Sequence, residues 1–150
     1  IRLNIFGTNH SDVANSYHGL GSSYYYNNQY NKAVKHHEKA LKIRLDIFGT
    51  NHSDVANSYH GLGISYYYKK QYGKSIEYDE KALKIRKELF GDTDRSVGDS
   101  NWNLGLSFED KEMKTALKYY EEAYKIYSKV LGESHAQTIQ AKTKVGKKGG

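Results

Sequence analysis

Histidines are the residues of this sequence best suited to metal binding or acid–base catalysis, and the chain has seven of them. Five are copies of two positions that recur along the chain: His10, His52 and His135 at one, His18 and His60 at the other. His36 and His37 are adjacent, so a helix would point them about 100° apart, unlike the i, i+4 pair of a zinc helix. We therefore predict no metal site and no cofactor.

Acidic pairs are the second candidate for chemistry. Glu109-Asp110 and Glu121-Glu122 read as ordinary helix-surface acids, with no apolar pocket implied that would raise a carboxyl pKa. The chain has no cysteine, which excludes thiol catalysis and cysteine-ligated metals. It also has no P-loop, no G-x-G-x-x-G and no G-x-S-x-G motif. We predict that the protein is not an enzyme.

The elements that must position any site follow an internal repeat. Residues 1–42 match residues 43–84 at 32 of 42 positions, a divergent third copy begins at Ile85, and a fourth opens at Leu131. In each unit, apolar residues recur at three- and four-residue steps over two stretches, which predicts two helices, A and B. We expect a single array over 1–150, built from a partial helix 1–6, repeats 11–48, 53–90 and 96–131, and a partial C-terminal helix 136–148.

Helix A of each unit combines an apolar stripe with interior glycines. In the first unit the stripe that we expect to be buried consists of Val13, Tyr17, Leu20 and Tyr24. Glycine costs about 1 kcal/mol relative to alanine inside a helix, so a close crossing of helices A and B must favour it. The glycines that we assign to this crossing are Gly21, Gly63 and Gly105. Gly19 and Gly61 have no such explanation from the sequence.

Several fixed positions of each unit resemble the tetratricopeptide repeat (TPR). Its pattern of large residue, Leu-Gly, Tyr, Ala and Ala is followed by Tyr17, Leu20-Gly21, Tyr24, Ala33 and Ala40. The 42-residue period and the Phe-Gly…His-Ser-Asp-Val-Ala link are similar to the longer variant found in kinesin light chains and nephrocystin-like proteins, although that variant usually has proline after the histidine. The resemblance implies an all-α fold, a right-handed α-solenoid of stacked antiparallel helical hairpins (the TPR superhelix).

The resemblance also implies that helix A lines the concave face and that its exposed stripe binds an extended peptide. The candidate groove residues are Asn15, His18, Ser22 and Tyr25; Asn57, His60, Ile64 and Tyr67; and Asp99, Trp102, Leu106 and Glu109. Asparagine can pair with a peptide backbone, while aromatic rings offer stiff apolar area. We predict a protein–protein interaction scaffold whose partner is a protein or peptide. Below about pH 6, His18 and His60 would add positive charge to the groove and strengthen the binding of an acidic partner.

The charge of the chain argues against nucleic acid as the partner. It has 23 basic and 17 acidic residues, a net charge of +6, of which the lysines of residues 142–150 supply +4. The helix B lysines, together with Glu38, are typical of a soluble convex face. Two alternatives stay open: a nucleic-acid-binding helical solenoid that stacks bases on tyrosines and holds phosphates with lysines, and a spacer or sensor arm of a larger multidomain protein.

The remaining expectations concern location and the two ends. No apolar run is long enough to span a membrane, so we predict no membrane partner and a cytoplasmic location. The sequence starts at Ile1 without an initiator methionine, as expected for a cut inside a longer protein. Near-identical units with uncovered end faces predict weak end-to-end self-association.

Overall fold

The computed structural model describes the backbone of residues 2–146 and the side chains of residues 10–146. Over that range the secondary structure is helical, without strands: α1 (Arg2–Tyr26), α2 (Tyr30–Phe48), α3 (Ser53–Tyr68), α4 (Tyr72–Phe90), α5 (Arg95–Phe108), α6 (Met113–Val130) and α7 (Ala136–Gly146). The helices form three consecutive A–B pairs followed by a further helix A. The predicted all-α repeat fold is confirmed.

The chain divides into two compact units, residues 1–85 and residues 86–150. In the first unit α2 packs against both α1 and α3, and in the second α6 packs against both α5 and α7. Each unit has its own apolar clusters: Val34, Leu62 and Tyr66 with Val55, Ala56 and Ile85 in the first, and Ala123, Tyr127 and Ala141 in the second. Helices A and B thus bury their stripes against neighbours, since a lone hairpin of this size cannot.

Local backbone chemistry ends each helix and starts the next. The amide of Gly49 donates to the carbonyl oxygen of Leu45 at 2.9 Å, with a left-handed φ of 77° at Gly49 that favours glycine. Gly49 therefore acts as the C-terminal cap of α2. Nδ1 of His52 then accepts a hydrogen bond from the amide of Asp54 at 3.0 Å and so caps α3. His135 caps α7 in the same way, through the amide of Gln137 at 3.1 Å, so both loop histidines are structural residues.

The predicted break between a helix over 1–6 and a helix from residue 11 is wrong, because α1 runs without interruption from Arg2 to Tyr26. The equivalent break at Gly49 follows a full helix B, whose packing against α3 holds the turn. Continuing α1 instead satisfies the backbone amides of this segment, and no proline prevents it.

The predicted burial of the helix A stripe is right for the second copy and partly wrong for the first. Val55 and Leu62 are fully buried, but the equivalent Val13 and Leu20 are 39% and 44% exposed. The reason is position rather than sequence. Helix α3 packs against the preceding helix α2, whereas the described residues place no helix of a preceding unit beside α1.

We expect this uncovered face of α1 to cause weak self-association at high concentration. Residues 11–26 match residues 53–68 at all positions except one, so the exposed face has the shape that is buried on α3. Leu20→Asp should lower the association measured by sedimentation equilibrium, whereas Asn31→Asp adds the same charge away from the face and should not. A monomer at every concentration up to about millimolar protein would contradict the expectation.

The structure explains the helix A glycines. A Cβ added at Gly21 would lie 2.8 Å from the His37 ring, and one added at Gly63 would lie 2.6 Å from the Asp79 carboxyl group, which confirms the predicted close crossing. Gly61 lies against the same His37 ring, at 2.7 Å from the added Cβ. The added Cβ at Gly19 meets nothing within 4 Å.

This difference gives a matched pair of substitutions at equivalent repeat positions. Gly19→Ala should raise the free energy of unfolding by about 0.5–1 kcal/mol, because alanine loses less backbone entropy in a helix. Gly61→Ala should instead leave the protein less stable than Gly19→Ala by about 1–3 kcal/mol, because the added methyl group collides with the buried His37 ring. Urea unfolding measures both, and equal shifts in the same direction would contradict the crowding at Gly61.

Candidate functional site

Most of the predicted groove residues of the first compact unit, residues 1–85, line one pocket between α1, α2 and α3. The pocket has a volume of about 270 Å³. Its walls are formed by His18, Ser22, Tyr25, Tyr26, His37, Asn57, His60, Gly61 and Ile64. Six of these belong to the predicted set, and they come from the A helices of two successive copies of the repeat. The sequence analysis missed Tyr26, His37 and Gly61.

His37 is the most buried polar residue of this pocket. Its side chain comes from α2 and is 2% exposed, with the ring between Gly21 and Gly61 and edge-on to His18 at a centroid distance of 4.8 Å. Nδ1 is buried without a hydrogen-bond partner among the described residues. Burial, followed by the nearby His18, Arg44 and His36, lowers the pKa of His37 to about 3. His37 is therefore neutral at physiological pH.

A buried arginine supports one wall of the pocket. The Arg44 side chain is 5% exposed, and its Nη1 donates to Nδ1 of His18 at 3.3 Å and to Oγ of Ser58 at 3.0 Å. Its Nη2 donates to Oδ1 of Asn15 at 3.1 Å. Asn15, a predicted groove residue, is thus bound to Arg44 and does not belong to the pocket walls.

The same bond fixes the tautomer of His18. An arginine can only donate, so Nδ1 of His18 accepts and Nε2 carries the proton of the neutral ring. Burial, and then the Arg44 charge, lowers the pKa of His18. This direction opposes the expected gain of charge at His18 below about pH 6, because a proton at Nδ1 would also face the guanidinium.

A buried carboxyl group lies behind the other histidine of the pocket. Oδ1 of Asp79, a fully buried residue of α4, is 3.7 Å from Nδ1 of His60. Asp79 occupies the repeat position of His37, and the third copy has Tyr120 there. Each helix B therefore presents a different buried polar residue to the Leu-Gly glycine of its own helix A.

Tyrosines form the rim of the pocket. The Tyr25 ring contacts Tyr68 at a centroid distance of 5.4 Å, and Tyr30 stacks on Tyr68 at the same distance. Burial and the hydrogen bond with Tyr68 raise the pKa of Tyr25. Tyr67, a predicted groove residue, contacts Tyr68 and Tyr72 and does not line the pocket.

The predicted groove residues of the second compact unit, residues 86–150, contact other parts of that unit. Asp99 accepts hydrogen bonds from the Tyr127 hydroxyl and the Gln137 amide. The others include Trp102, whose ring lies 5.1 Å from Tyr120, the half-buried Leu106, and Glu109, which pairs with Tyr120 and with Lys144 at 2.6 Å. Asp99 and Glu109 thus join α5 to α6 and α7, a role that single-sequence periodicity does not reveal.

Two lysines of α2 lie over tyrosine rings of α1. Lys32 lies over Tyr24 at 5.4 Å and Lys39 over Tyr17 at 5.3 Å, and the next repeat has the equivalent pairs Lys74 over Tyr66 and Lys81 over Tyr59. Cation–π contacts of this kind use the ring faces that a base would need for stacking. They argue against a nucleic-acid platform at these tyrosines.

Among the side chains described, those of residues 10–146, no group of three or more histidine, aspartate and glutamate side chains is arranged to hold a metal ion. None of the helices described is both long enough and apolar enough to cross a membrane.

The repeated A–B helix pairs and the pocket between successive A helices define a helical repeat protein. A tetratricopeptide repeat family model matches residues 1–46, 12–88 and 54–129. The chain belongs to the tetratricopeptide repeat family, whose members generally act as protein-interaction scaffolds and are typically not catalysts. No curated protein matches the sequence at a significant level.

Solved structures share the fold at low sequence identity. BtubC (BKLC) from P. vanneervenii matches with a TM-score of 0.82 and 22% identity, over 89% of this chain and 54% of that one. The nearly identical TPR-like repeats of a kinesin-light-chain-type protein from Podosopora anserina match with a TM-score of 0.81 and 21% identity, over 92% and 65%. The N-terminal domain of stress-induced protein-1 from C. elegans matches with a TM-score of 0.64 and 17% identity, over 90% and 96%. The chain spans 54% and 65% of the first two proteins, and these likenesses establish the fold alone.

Proposed function

We propose that this protein is a non-catalytic interaction scaffold that binds an extended segment of a partner protein across α1 and α3 of its first unit. The observation that carries the proposal is the convergence of six predicted groove residues, from two successive A helices, on one pocket. A concave pocket with aromatic walls and a few polar groups is the usual form of a binding site.

The chemistry of the pocket walls suits a peptide. Asn57 and Ser22 offer side-chain donors and acceptors to a main chain, while Tyr25 and Ile64 offer apolar area. Tyr26 is 79% exposed at the rim and is free to change rotamer without repacking the core. We propose a cytoplasmic location for this scaffold, where its partner would be an intracellular protein.

A random peptide library displayed on phage tests the proposal, with the intact chain as bait. Tyr25→Ala should lower the affinity for the selected peptides at least tenfold, which corresponds to a loss of about 1.4 kcal/mol of binding free energy. Tyr67→Ala is the matched control, because Tyr67 has the same repeat position but lies outside the pocket. Failure to select any peptide, or equal loss of affinity in both variants, would overturn the proposal.

A salt titration distinguishes this scaffold from the nucleic-acid alternative. Phosphate contacts make log affinity fall steeply with log salt, whereas a neutral groove responds weakly. The selected peptide should keep most of its affinity between about 50 and 200 mM salt. A labelled single-stranded oligonucleotide that binds more tightly than the peptide at the higher salt concentration would favour the alternative.

A further inference from the structure

We infer that the pocket of the first unit selects a side chain that ends in a carboxamide, that of glutamine or asparagine, over side chains that end in a carboxylate or an ammonium group. The inference rests on the proposed function, since it names the partner residue that the same pocket takes. Three observations support it: the lack of a charged wall residue other than histidine, the buried imidazole in the pocket, and the size of the pocket.

The pocket walls carry no formally charged residue type other than histidine. The Arg44 guanidinium contacts the far side of His18 at 3.3 Å, and the Asp79 carboxyl group lies 3.7 Å from His60, but neither residue is part of the walls. An anion or a cation in the pocket would therefore lose part of its hydration without a charged wall residue to pair with. A neutral carboxamide avoids this cost.

His37 supplies the hydrogen-bonding requirement. Its ring is 2% exposed and Nδ1 has no hydrogen-bond partner among the described residues, so an occupant that can pair with it gains a bond that the protein alone does not make. The neutral imidazole has one donor and one acceptor, and a carboxamide offers both. A carboxylate only accepts and an ammonium group only donates.

His18 and the pocket size point to the same ligand. Since Nδ1 of His18 accepts from Arg44, Nε2–H is its remaining donor, which a carboxamide oxygen can accept. The volume of about 270 Å³ lies below the roughly 300–1,000 Å³ that is typical of whole small-molecule sites. It suits one side chain whose methylene groups pack against Tyr25 and Ile64.

Four capped amino acids test the selection directly: the N-acetyl, N-methylamide derivatives of glutamine, glutamate, lysine and norleucine. Each is titrated into the intact protein at pH 7.5, and binding is followed by the amide NMR signals of Gly61 and Ile64. We expect the glutamine derivative to bind at least fivefold more tightly than the other three. An equal or tighter affinity for the glutamate, lysine or norleucine derivative would overturn the inference, as would no shift of these signals with any probe.

His37→Phe keeps a flat ring of similar shape and removes both ring nitrogens. It should abolish the advantage of the glutamine derivative over the norleucine derivative, whereas His36→Phe, one residue away and outside the pocket, should keep it. A preference that survives in folded His37→Phe would overturn the role of His37, and if this variant does not fold, the ranking in the parent protein decides alone. Selected peptides that bind the pocket without a carboxamide preference would refute this inference but leave the scaffold standing. A bound glutamine derivative with no selectable peptide would instead refute the scaffold.

Discussion

Gly63→Leu is expected to lower the free energy of unfolding by about 1–3 kcal/mol, although leucine is the better helix former by nearly 1 kcal/mol. A Cβ at this position would lie 2.6 Å from the carboxyl atoms of Asp79, which is fully buried and has little room to move. The backbone is also held in place, because Oγ of Ser75 donates to the Gly63 carbonyl oxygen at 2.8 Å. Because neither the Asp79 side chain nor the Gly63 backbone can move without loss of packing, the leucine would force α3 and α4 apart.

Thermal and urea unfolding measure this loss. Gly73→Leu is the matched control, since a Cβ at Gly73 in α4 meets nothing within 4 Å. That variant should unfold at or slightly above the temperature of the parent. If Gly63→Leu also melts at or above the parent temperature, α3 and α4 do not cross closely at Gly63, and the glycine at this position needs another explanation.

Periodicity alone predicted the helices well, because each unit repeats the same strong pattern. The repeat spacing placed Gly21 and Gly63 opposite helix B, and the crossings confirm it. What failed depends on neighbours that a repeat pattern does not describe. The sequences around Val13 and Val55 are identical, yet one side chain is 39% exposed and the other buried, since only α3 packs against a preceding helix.

The candidate site was predictable in outline but not in its chemistry. Helical spacing identified the residues of α1 and α3 that converge on the pocket. It did not identify His37, although this residue continues the apolar stripe of helix B and is flanked in space by glycines, one of which had no explanation. A polar residue on an apolar stripe, opposite an unexplained glycine, is the signal that would have found it. The bonds of Asp99 and Glu109 depend on side chains far along the chain, on other helices, which spacing within one helix cannot reveal.

Acid is expected to destabilise the protein through His37. Burial lowers the pKa of this imidazole from 6.5 to about 3, helped by His18 on α1 and by His36 and Arg44 on α2. Below pH 6.5 the unfolded chain binds a proton at this position that the folded protein does not accept, so stability falls as the pH drops from about 6.5 towards 3. At pH 5 the loss should reach about 2 kcal/mol, since one pKa unit corresponds to 1.36 kcal/mol.

Urea unfolding at pH 7.5, 6 and 5 measures this dependence in the parent and in two variants. His37→Phe should flatten the decline by about 2 kcal/mol between pH 7.5 and 5, because no imidazole is then left to protonate at this position. His36→Gln should keep most of it, since the ring of His36 is only half-buried and its Nδ1 bonds the Lys32 carbonyl oxygen at 2.8 Å. His18, whose lowered pKa acts in the same direction, is present in all three proteins. A decline that is equally steep in His37→Phe and in the parent would show that the buried imidazole does not control the acid response.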